Sequence, residues 1–233
     1  MKNLNFYHRF LKPRKIIYWS QYGEDLVLLS MLKDVDRGFY VDVGAMHPKH
    51  ESVTKLFYDR GWRGINLEPR ISGHKSFQDH RPRDINLRLA VSDQLGSLEF
   101  NEVSDQPGLS TLNSDQAAFW ENKEMSVCRY NVDTAPLHKI LDWCALPEIH
   151  FLKIDVEGHE KTVLKSADFS KHRPWVLAIE ATLPGTFTPC HEEWESIVLE
   201  AGYVFAGAHS INRYYVSKEK AYLKEGFSLP DIG

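Results

Sequence analysis

Two acidic residues, each at the end of a short apolar run, could together recognise a nucleoside. Residues 38–48 predict a buried strand that ends in Asp42 and a tight turn at Gly44, and residues 64–69 predict a second strand that ends in Glu68. A glycine lets the backbone approach a ligand, and a carboxylate on the next strand can accept hydrogen bonds from both ribose hydroxyls. Because the turn lacks the three-glycine fingerprint of a dinucleotide site, a ligand smaller than NAD is favoured.

Residues around the glycine turn could extend this site. Backbone N–H groups after Gly44 could hold a small anionic group such as an amino-acid carboxylate. Ser52 could add a hydroxyl at the start of the next helix, and His47 would face the cleft. The competing interpretation is purely structural: Asp42 caps that helix, Gly44 only turns the chain, and Glu68 is a surface acid.

A second cluster of chemically capable residues lies within residues 154–160. In an extended segment, alternation would put Asp155, Glu157 and His159 on one side. These residues could act as a general base, as carboxylates that orient a hydroxyl, or as ligands for a divalent metal. The alternative is a helix N-terminus that favours acids through its dipole. No spacing fixes a complete ligand set, so a metal is not predicted.

Candidate acceptor-binding residues lie further along the chain. Glu180 ends another apolar run, and Asn212 and Arg213 stand among the last predicted strands, where they could bind a hydroxylated or phosphorylated substrate. Trp120, in a polar stretch, is the tryptophan most suited to a sugar-like ligand. Surface exposure or core packing is the alternative for these side chains.

Strands that alternate with helices must position these residues, which predicts an α/β fold with a doubly wound, mainly parallel sheet and a C-terminal antiparallel strand pair. In such sheets the ligand lies beyond the carboxyl ends of the strands, where Asp42, Glu68, Asp155 and Glu180 all fall. The predicted strands are 39–43, 64–67, 84–91, 97–101 (a hairpin partner of the strand before it), 129–134, 149–155, 174–180, 203–205 and 214–216. The predicted helices are 20–33 (capped by Ser20), 52–60, 136–144, 160–166 and 192–201.

The chain of 233 residues suits a single domain, with a leader at 1–19 and an inserted lid at 103–129. A formal net charge of −4 argues against nucleic acid as a partner, although Arg9, Lys12, Arg14 and Lys15 form a local basic stretch. No apolar run is long enough for a membrane span. Three widely spaced cysteines and a start without a secretory signal predict a cytoplasmic protein.

Six motifs in chain order resemble the FkbM-type methyltransferases. They are residues 20–25, 42–45, 61–69, 109–111, 153–160 and 211–215, within a match that runs from about Ser20 to Lys220. The most specific is Lys153-Ile-Asp-Val-Glu-Gly-His-Glu160. The resemblance implies a class I, Rossmann-like fold that uses S-adenosylmethionine and methylates a hydroxyl of a sugar, a nucleotide-linked sugar or a glycan.

The resemblance also implies roles for individual residues. Asp42 and Gly44 would line the methionine part of the cofactor, Glu68 would bind the ribose, and Asp155 would lie at the reaction centre. The remaining cofactor residues would be Gln21, Ala45 and Ser52, together with Ala90, Val91, Ser92 and Asp93 beside the adenine. Residues 208–213 depart from the family pattern in the region where the acceptor would bind.

The predicted reaction is an in-line methyl transfer in which His159 takes the proton of the acceptor hydroxyl. Asp155 or Glu157 would orient either His159 or that hydroxyl, and His47 is the reserve base. The predicted partner is a small-molecule or glycan acceptor, with a sugar nucleotide favoured, and a homodimer is left open. Two other classes compete: an NAD-type oxidoreductase or epimerase that acts on a nucleotide sugar, and a non-catalytic nucleoside-binding domain.

Overall fold

The computed structural model describes residues 17–146 and 148–230, so the basic stretch at Arg9, Lys12, Arg14 and Lys15 lies outside the described residues. Two sheets contain the strands. In chain order these are β1 (Phe39–Val43), β2 (Arg63–Leu67), β3 (Ile85–Leu87), β4 (Ala90–Val91), β5 (Gly96–Val103), β6 (Val127–Ala135), β7 (Phe151–Ile154), β8 (Val176–Glu180), β9 (Tyr203–His209) and β10 (Asn212–Ser217).

The main sheet has seven strands in the order β3-β2-β1-β7-β8-β10-β9. The pairs from β3 to β8 are parallel, whereas β10 is antiparallel to both β8 and β9. A smaller sheet of three strands has the order β4-β6-β5. The carboxyl ends of β1, β2 and β7 therefore meet at one edge of the main sheet.

Helices cover both faces of the main sheet. They are α1 (Glu24–Met31), α2 (Lys55–Asp59), α3 (Ile71–His80), α4 (Ser114–Asn122), α5 (Leu137–Cys144), α6 (Glu160–Lys165) and α7 (Glu195–Glu200), with 3₁₀ segments at Pro107–Leu109, His191–Glu193 and Lys218–Gly226. One buried cluster joins Val41 and Leu152 of the sheet to apolar residues of α5, α6 and α7. The other joins Tyr40 and Phe151 to α1 and α2. A strand buried on both faces is mostly apolar, and β8 is apolar except for its last residue, Glu180.

The predicted fold class is confirmed: the sheet is mainly parallel, it is covered on both faces, and it ends in the antiparallel pair β9–β10. The strands expected at 39–43, 64–67, 149–155 and 174–180 form close to their predicted bounds. Helix α3 was not predicted. It has only two buried residues, Gly73 and Phe77, so its sequence lacks an apolar stripe of helical period.

Three local predictions are wrong. The strand expected at 84–91 is divided at Arg88–Leu89, so β3 pairs in the main sheet and β4 in the small one. The strand expected at 97–101 is not a hairpin partner of the strand before it, because β5 pairs antiparallel with β6 along its whole length. The N-cap position of α1, which begins at Glu24, is occupied by Gly23 and not by Ser20. The Ser20 hydroxyl still accepts a hydrogen bond from the Asp25 backbone amide at 3.3 Å, and it donates to the Asp25 carboxylate at 2.6 Å.

The predicted lid region, 103–129, contains a 3₁₀ segment and α4 between β5 and β6. Its Thr111 forms a bridge with Asn101 of β5, and the Thr111 hydroxyl donates to the backbone carbonyl of Glu157 at 2.9 Å. A closing motion of this region stays a prediction. Among residues 17–146 and 148–230, no helix combines the length and the apolar character that a bilayer crossing requires.

Arg81 anchors the loop between β1 and α2 to the sheet. Its guanidinium is fully buried and donates to the Pro48 carbonyl at 3.0 and 2.6 Å and to the Ser52 hydroxyl at 3.0 Å. It also contacts the Tyr40 hydroxyl at 3.2 Å and the Asp84 carboxylate at 3.7 Å. A buried charge with this many partners fixes the loop that follows the glycine turn.

We expect Arg81→Met to lower the free energy of unfolding by about 3–5 kcal/mol, because a buried carboxylate and a backbone carbonyl lose their partner. Urea denaturation followed by circular dichroism measures this loss. Arg88→Met, at an exposed position, is the control and should change stability by less than about 0.5 kcal/mol. Equal effects in the two variants would contradict the anchoring role.

Candidate functional site

A cavity of about 760 Å³ opens at the carboxyl ends of β1, β2 and β7. Its size is typical of a small-molecule or cofactor site. Nine residues predicted for the site line it: Gln21, Gly44, His47, Glu68, Ala90, Val91, Asp155, Glu157 and His159. The shared edge of the sheet therefore brings together residues that are far apart in the sequence.

The glycine turn closes one wall of the cavity. Gly44 has a φ of 76°, and a Cβ at this position would lie 1.8 Å from the backbone oxygen of Asp155, so only glycine fits. The amides of Gly44 and Ala45 both donate to the Leu67 carbonyl, at 3.2 and 3.1 Å. These two amides therefore fix the turn against β2, and the binding of an anionic group by the backbone N–H groups after Gly44 stays a prediction.

Lys153 lies beneath this turn and links three groups. Its side chain is almost completely buried, and its Nζ donates to the Gly44 carbonyl at 2.8 Å. The same atom lies 3.3 Å from the Asp155 carboxylate and 3.5 Å from that of Asp42. Burial alone would lower the pKa of Lys153, but the two carboxylates outweigh it and raise the pKa, so the ammonium stays charged.

Asp42 lies behind the cavity wall. It is buried, and it accepts a hydrogen bond from the Thr54 hydroxyl at 3.0 Å besides its contact with Lys153. Its influence on a ligand would pass through Lys153 and the backbone of the turn. Sequence reasoning missed Lys153, and the available signal was a lysine within an otherwise apolar strand.

Glu68 is fully buried at the end of β2, where Arg70 holds it. The Arg70 backbone amide and Nε donate to Glu68 Oε1 at 2.8 and 2.9 Å, and an Nη donates to Oε2 at 3.2 Å. Burial raises the pKa of Glu68, although Arg70 opposes the shift. A Cβ on Gly73 would lie 2.7 Å from the Glu68 side chain, so α3 also approaches it closely. Sequence reasoning missed Arg70, whose signal was its place directly after the Glu68-Pro69 pair.

An acidic cluster forms the other side of the cavity. Carboxylate oxygens of Asp155, Glu157 and Glu180 all lie within 4.8 Å of one another, so these three residues could hold a metal ion. Burial raises the pKa of Glu157 and of Glu180 well above the ordinary value, and the charge of Asp155 adds to both shifts. Burial also raises the pKa of Glu160 to about 7.

The turn that carries this cluster has an unusual backbone. Glu157 has a φ of 54°, which L-residues seldom adopt, and Gly158 follows with a φ of 90°. Glu160 Oε1 accepts hydrogen bonds from the amides of Val156 and Gly158, at 3.0 and 3.2 Å, and so holds the turn in place. A maintained backbone outlier beside a cavity is frequently found at functional sites.

The two histidines of the site differ in the hydrogen bonds that they can form with a ligand. Burial lowers the pKa of His159, an effect that Asp93 opposes, and its Nε2 is buried without a hydrogen-bond partner. His47 Nδ1 already accepts hydrogen bonds from the amides of Lys49 and His50, both at 3.0 Å. A neutral His47 therefore carries its proton on Nε2 and offers a donor to the cavity, whereas His159 can offer an acceptor.

Several residues predicted for the site lie outside the cavity lining. The Ser52 hydroxyl accepts from Arg81, and the Ser92 hydroxyl donates to Asp93 at 3.3 Å. Trp120 is buried and packs against Gly185. The other predicted residues outside the lining are Asp42, Ala45, Asp93, Glu180, Asn212 and Arg213.

The residues on β10 have partners of their own. Asn212 donates to Glu24 at 3.2 Å, and Arg213 donates to Glu195 at 2.7 Å and to the Tyr215 hydroxyl at 2.9 Å. His209 of β9 contacts the Tyr22 carbonyl at 2.6 Å, so the segment that carries Gln21 is tied to the C-terminal strand pair. A direct role of Asn212 or Arg213 in substrate binding stays a prediction.

The parallel sheet, its glycine turn and the acid at the end of the next strand define an α/β protein with a cavity at the carboxyl ends of its strands, which is where such folds bind their ligands. The family model described as "Methyltransferase FkbM domain" matches residues 42–205. The chain therefore belongs to the FkbM methyltransferase family, which supports methyltransferase activity. Comparisons with curated proteins and with solved structures give no match.

We expect Lys153→Met to lower the free energy of unfolding by about 3–5 kcal/mol, because Asp42 and Asp155 would lose their buried cation. Chemical denaturation measures the loss. Lys139→Met, at an exposed position on α5, is the matched control and should be nearly neutral. A Lys153→Met protein as stable as this control would show that the carboxylates do not depend on the ammonium.

Proposed function

We propose that the chain is an S-adenosylmethionine-dependent O-methyltransferase whose acceptor is a hydroxyl of a sugar, a nucleotide-linked sugar or a glycan. The observation that carries the proposal is that Gly44 and Glu68, at the ends of adjacent parallel strands, line the same cavity as His159 and Asp155. Membership of the FkbM family supports the same reaction. A nucleoside cofactor and a proton acceptor would then meet in one cavity.

The residues of the cavity suit each part of the cofactor. Glu68 Oε2 has one hydrogen bond from Arg70, so it keeps acceptor capacity for a ribose hydroxyl. Ala90 and Val91 are buried and offer an apolar surface for the adenine, with Ser92 and Asp93 directly after them. Gly44 and Gln21 would lie beside the methionine part. Asp42, Ala45 and Ser52 would support this wall from behind, through their contacts with neighbouring residues.

The protein's part in catalysis is to align the acceptor and to remove its proton. S-adenosylmethionine supplies the methyl group, which is made electrophilic by its sulfonium centre. His159 Nε2, neutral because burial lowers the pKa of the ring, would accept the hydroxyl proton. Asp155 and Glu157 would orient the acceptor hydroxyl, and His47 could donate a hydrogen bond to a second acceptor oxygen.

The acceptor class rests on the polar character of the cavity rim and on the family resemblance. Gln21, Glu51 and Ser110 are polar groups on the lining that suit a hydroxyl-rich ligand. Trp120, Glu180, Asn212 and Arg213 would influence the acceptor indirectly, because they lie away from the lining. We place the reaction in the cytoplasm, in keeping with the free thiols at Cys128, Cys144 and Cys190.

Calorimetry with S-adenosylhomocysteine tests the cofactor assignment. We expect Glu68→Gln to weaken binding by about 10- to 100-fold, because a charged acceptor of the ribose hydroxyls becomes a neutral amide. Asp79→Asn, at an exposed position on α3, should bind as the unaltered protein does. If the unaltered chain binds NAD but not S-adenosylhomocysteine, the proposal fails in favour of an oxidoreductase.

Turnover of labelled S-adenosylmethionine with a panel of sugar nucleotides tests the proton acceptor. We expect His159→Ala to lower kcat by about 10²- to 10⁴-fold, the usual contribution of a general base. Its affinity for S-adenosylhomocysteine should stay within about threefold of the unaltered value. The general-base assignment is wrong if this variant keeps near-normal turnover.

A further inference from the structure

We propose that Asp155, Glu157 and Glu180 bind one divalent cation of the oxygen-preferring type, such as Mg²⁺ or Mn²⁺. The inference deepens the proposed function, since the cation would serve the same acceptor hydroxyl. Each residue offers a carboxylate oxygen within 4.8 Å of the others, which is compatible with shared contact to one ion. Hard oxygen ligands favour these cations over zinc or copper.

Unpartnered oxygen atoms in this cluster point to a missing partner. Glu180 is 3% exposed, and its Oε2 is buried without a hydrogen-bond donor. Glu157 Oε2 is likewise buried without a donor. A buried carboxylate oxygen with no donor is costly, and most such atoms in folded proteins have a partner. A cation between these carboxylates would satisfy both atoms at once.

The charges around the cluster also favour a cation. The charged groups that act on Glu180 include the carboxylates of Asp155, Glu157 and Glu160, and the ammonium of Lys153 opposes these three negative charges. Lys153 is the positive charge that acts on Glu157, and it is shared with Asp42 and with the Gly44 carbonyl. One shared ammonium cannot neutralise the group, whereas a divalent ion would restore the balance.

Glu160 belongs to the same cluster but is not a ligand. Its Oε1 accepts hydrogen bonds from the amides of Val156 and Gly158, which fixes the turn. A glutamine there would keep an oxygen for both amides and would remove only the charge. This position therefore separates the effect of charge from the effect of ligand geometry.

The place of the cation gives it a role in the reaction. Asp155 and Glu157 line the cavity and Glu180 lies behind them, so the ion would face the cavity with coordination positions left for water or acceptor oxygens. A bound divalent cation lowers the pKa of a coordinated hydroxyl. The proton would leave to His159 while the ion holds the acceptor oxygen. An acceptor with two neighbouring oxygens, such as a vicinal diol of a sugar, would fill two positions on the ion.

Titration of the full chain with Mn²⁺, followed by the electron paramagnetic resonance of free Mn²⁺, tests the inference with and without S-adenosylhomocysteine. We expect one site per chain, with a Kd between about 10 µM and 1 mM in at least one of the two states. Glu180→Gln should weaken Mn²⁺ binding by about 10-fold or more, since it removes a ligand. Glu160→Gln should weaken Mn²⁺ binding clearly less than Glu180→Gln does, since it removes a nearby charge but no ligand.

Each outcome decides between the alternatives. Equal losses in Glu180→Gln and Glu160→Gln would overturn the ligand assignment and indicate a diffuse charge effect. A folded chain that binds S-adenosylhomocysteine but shows no saturable Mn²⁺ binding would overturn the cation site and leave the proposed function intact. A folded chain that binds neither ligand would overturn both proposals.

Discussion

The buried ammonium of Lys153 is the interaction on which the rest of the site depends. It joins the ends of two neighbouring parallel strands through Asp42 and Asp155, and it also holds the Gly44 carbonyl of the glycine turn. Without this cation, the carboxylates at the ends of β1 and β7 would lose the positive partner beside them. The lysine lets the chain keep buried carboxylates close together, and so keeps their oxygens available to a ligand or an ion.

Two regions of opposite character form around that centre. On one side, Glu68 is held rigidly by Arg70 and is close to α3, which suits recognition of a fixed group such as a ribose. On the other side, Glu157 and Glu180 have buried oxygens without donors, which suits a partner that arrives during the reaction. One part of the site is therefore preorganised for binding, whereas the other part is complete only when its ligand is bound.

Much of the fold and part of the site could be predicted from the sequence, because acids at the ends of parallel strands must meet at one edge. Lys153 could not be placed, since no local pattern says which carbonyl a lysine within a strand will reach. Asn212 and Arg213 could not both face the cavity, because neighbouring residues of a strand point to opposite faces. Helix α3 was missed because its buried residues are Gly73 and Phe77 alone, which form no periodic apolar stripe in the sequence.

The contacts between the two ends of the described chain have a consequence for synthesis. Tyr22 and Glu24 reach His209 and Asn212 across sequence separations of 187 and 188 residues. These contacts hold the segment that contributes Gln21 to the cavity rim. A ribosome must therefore release the chain as far as β10 before that part of the rim can assemble. A chain that ended before β10 would also leave β9 without its partner strand, because β10 lies between β8 and β9 in the sheet.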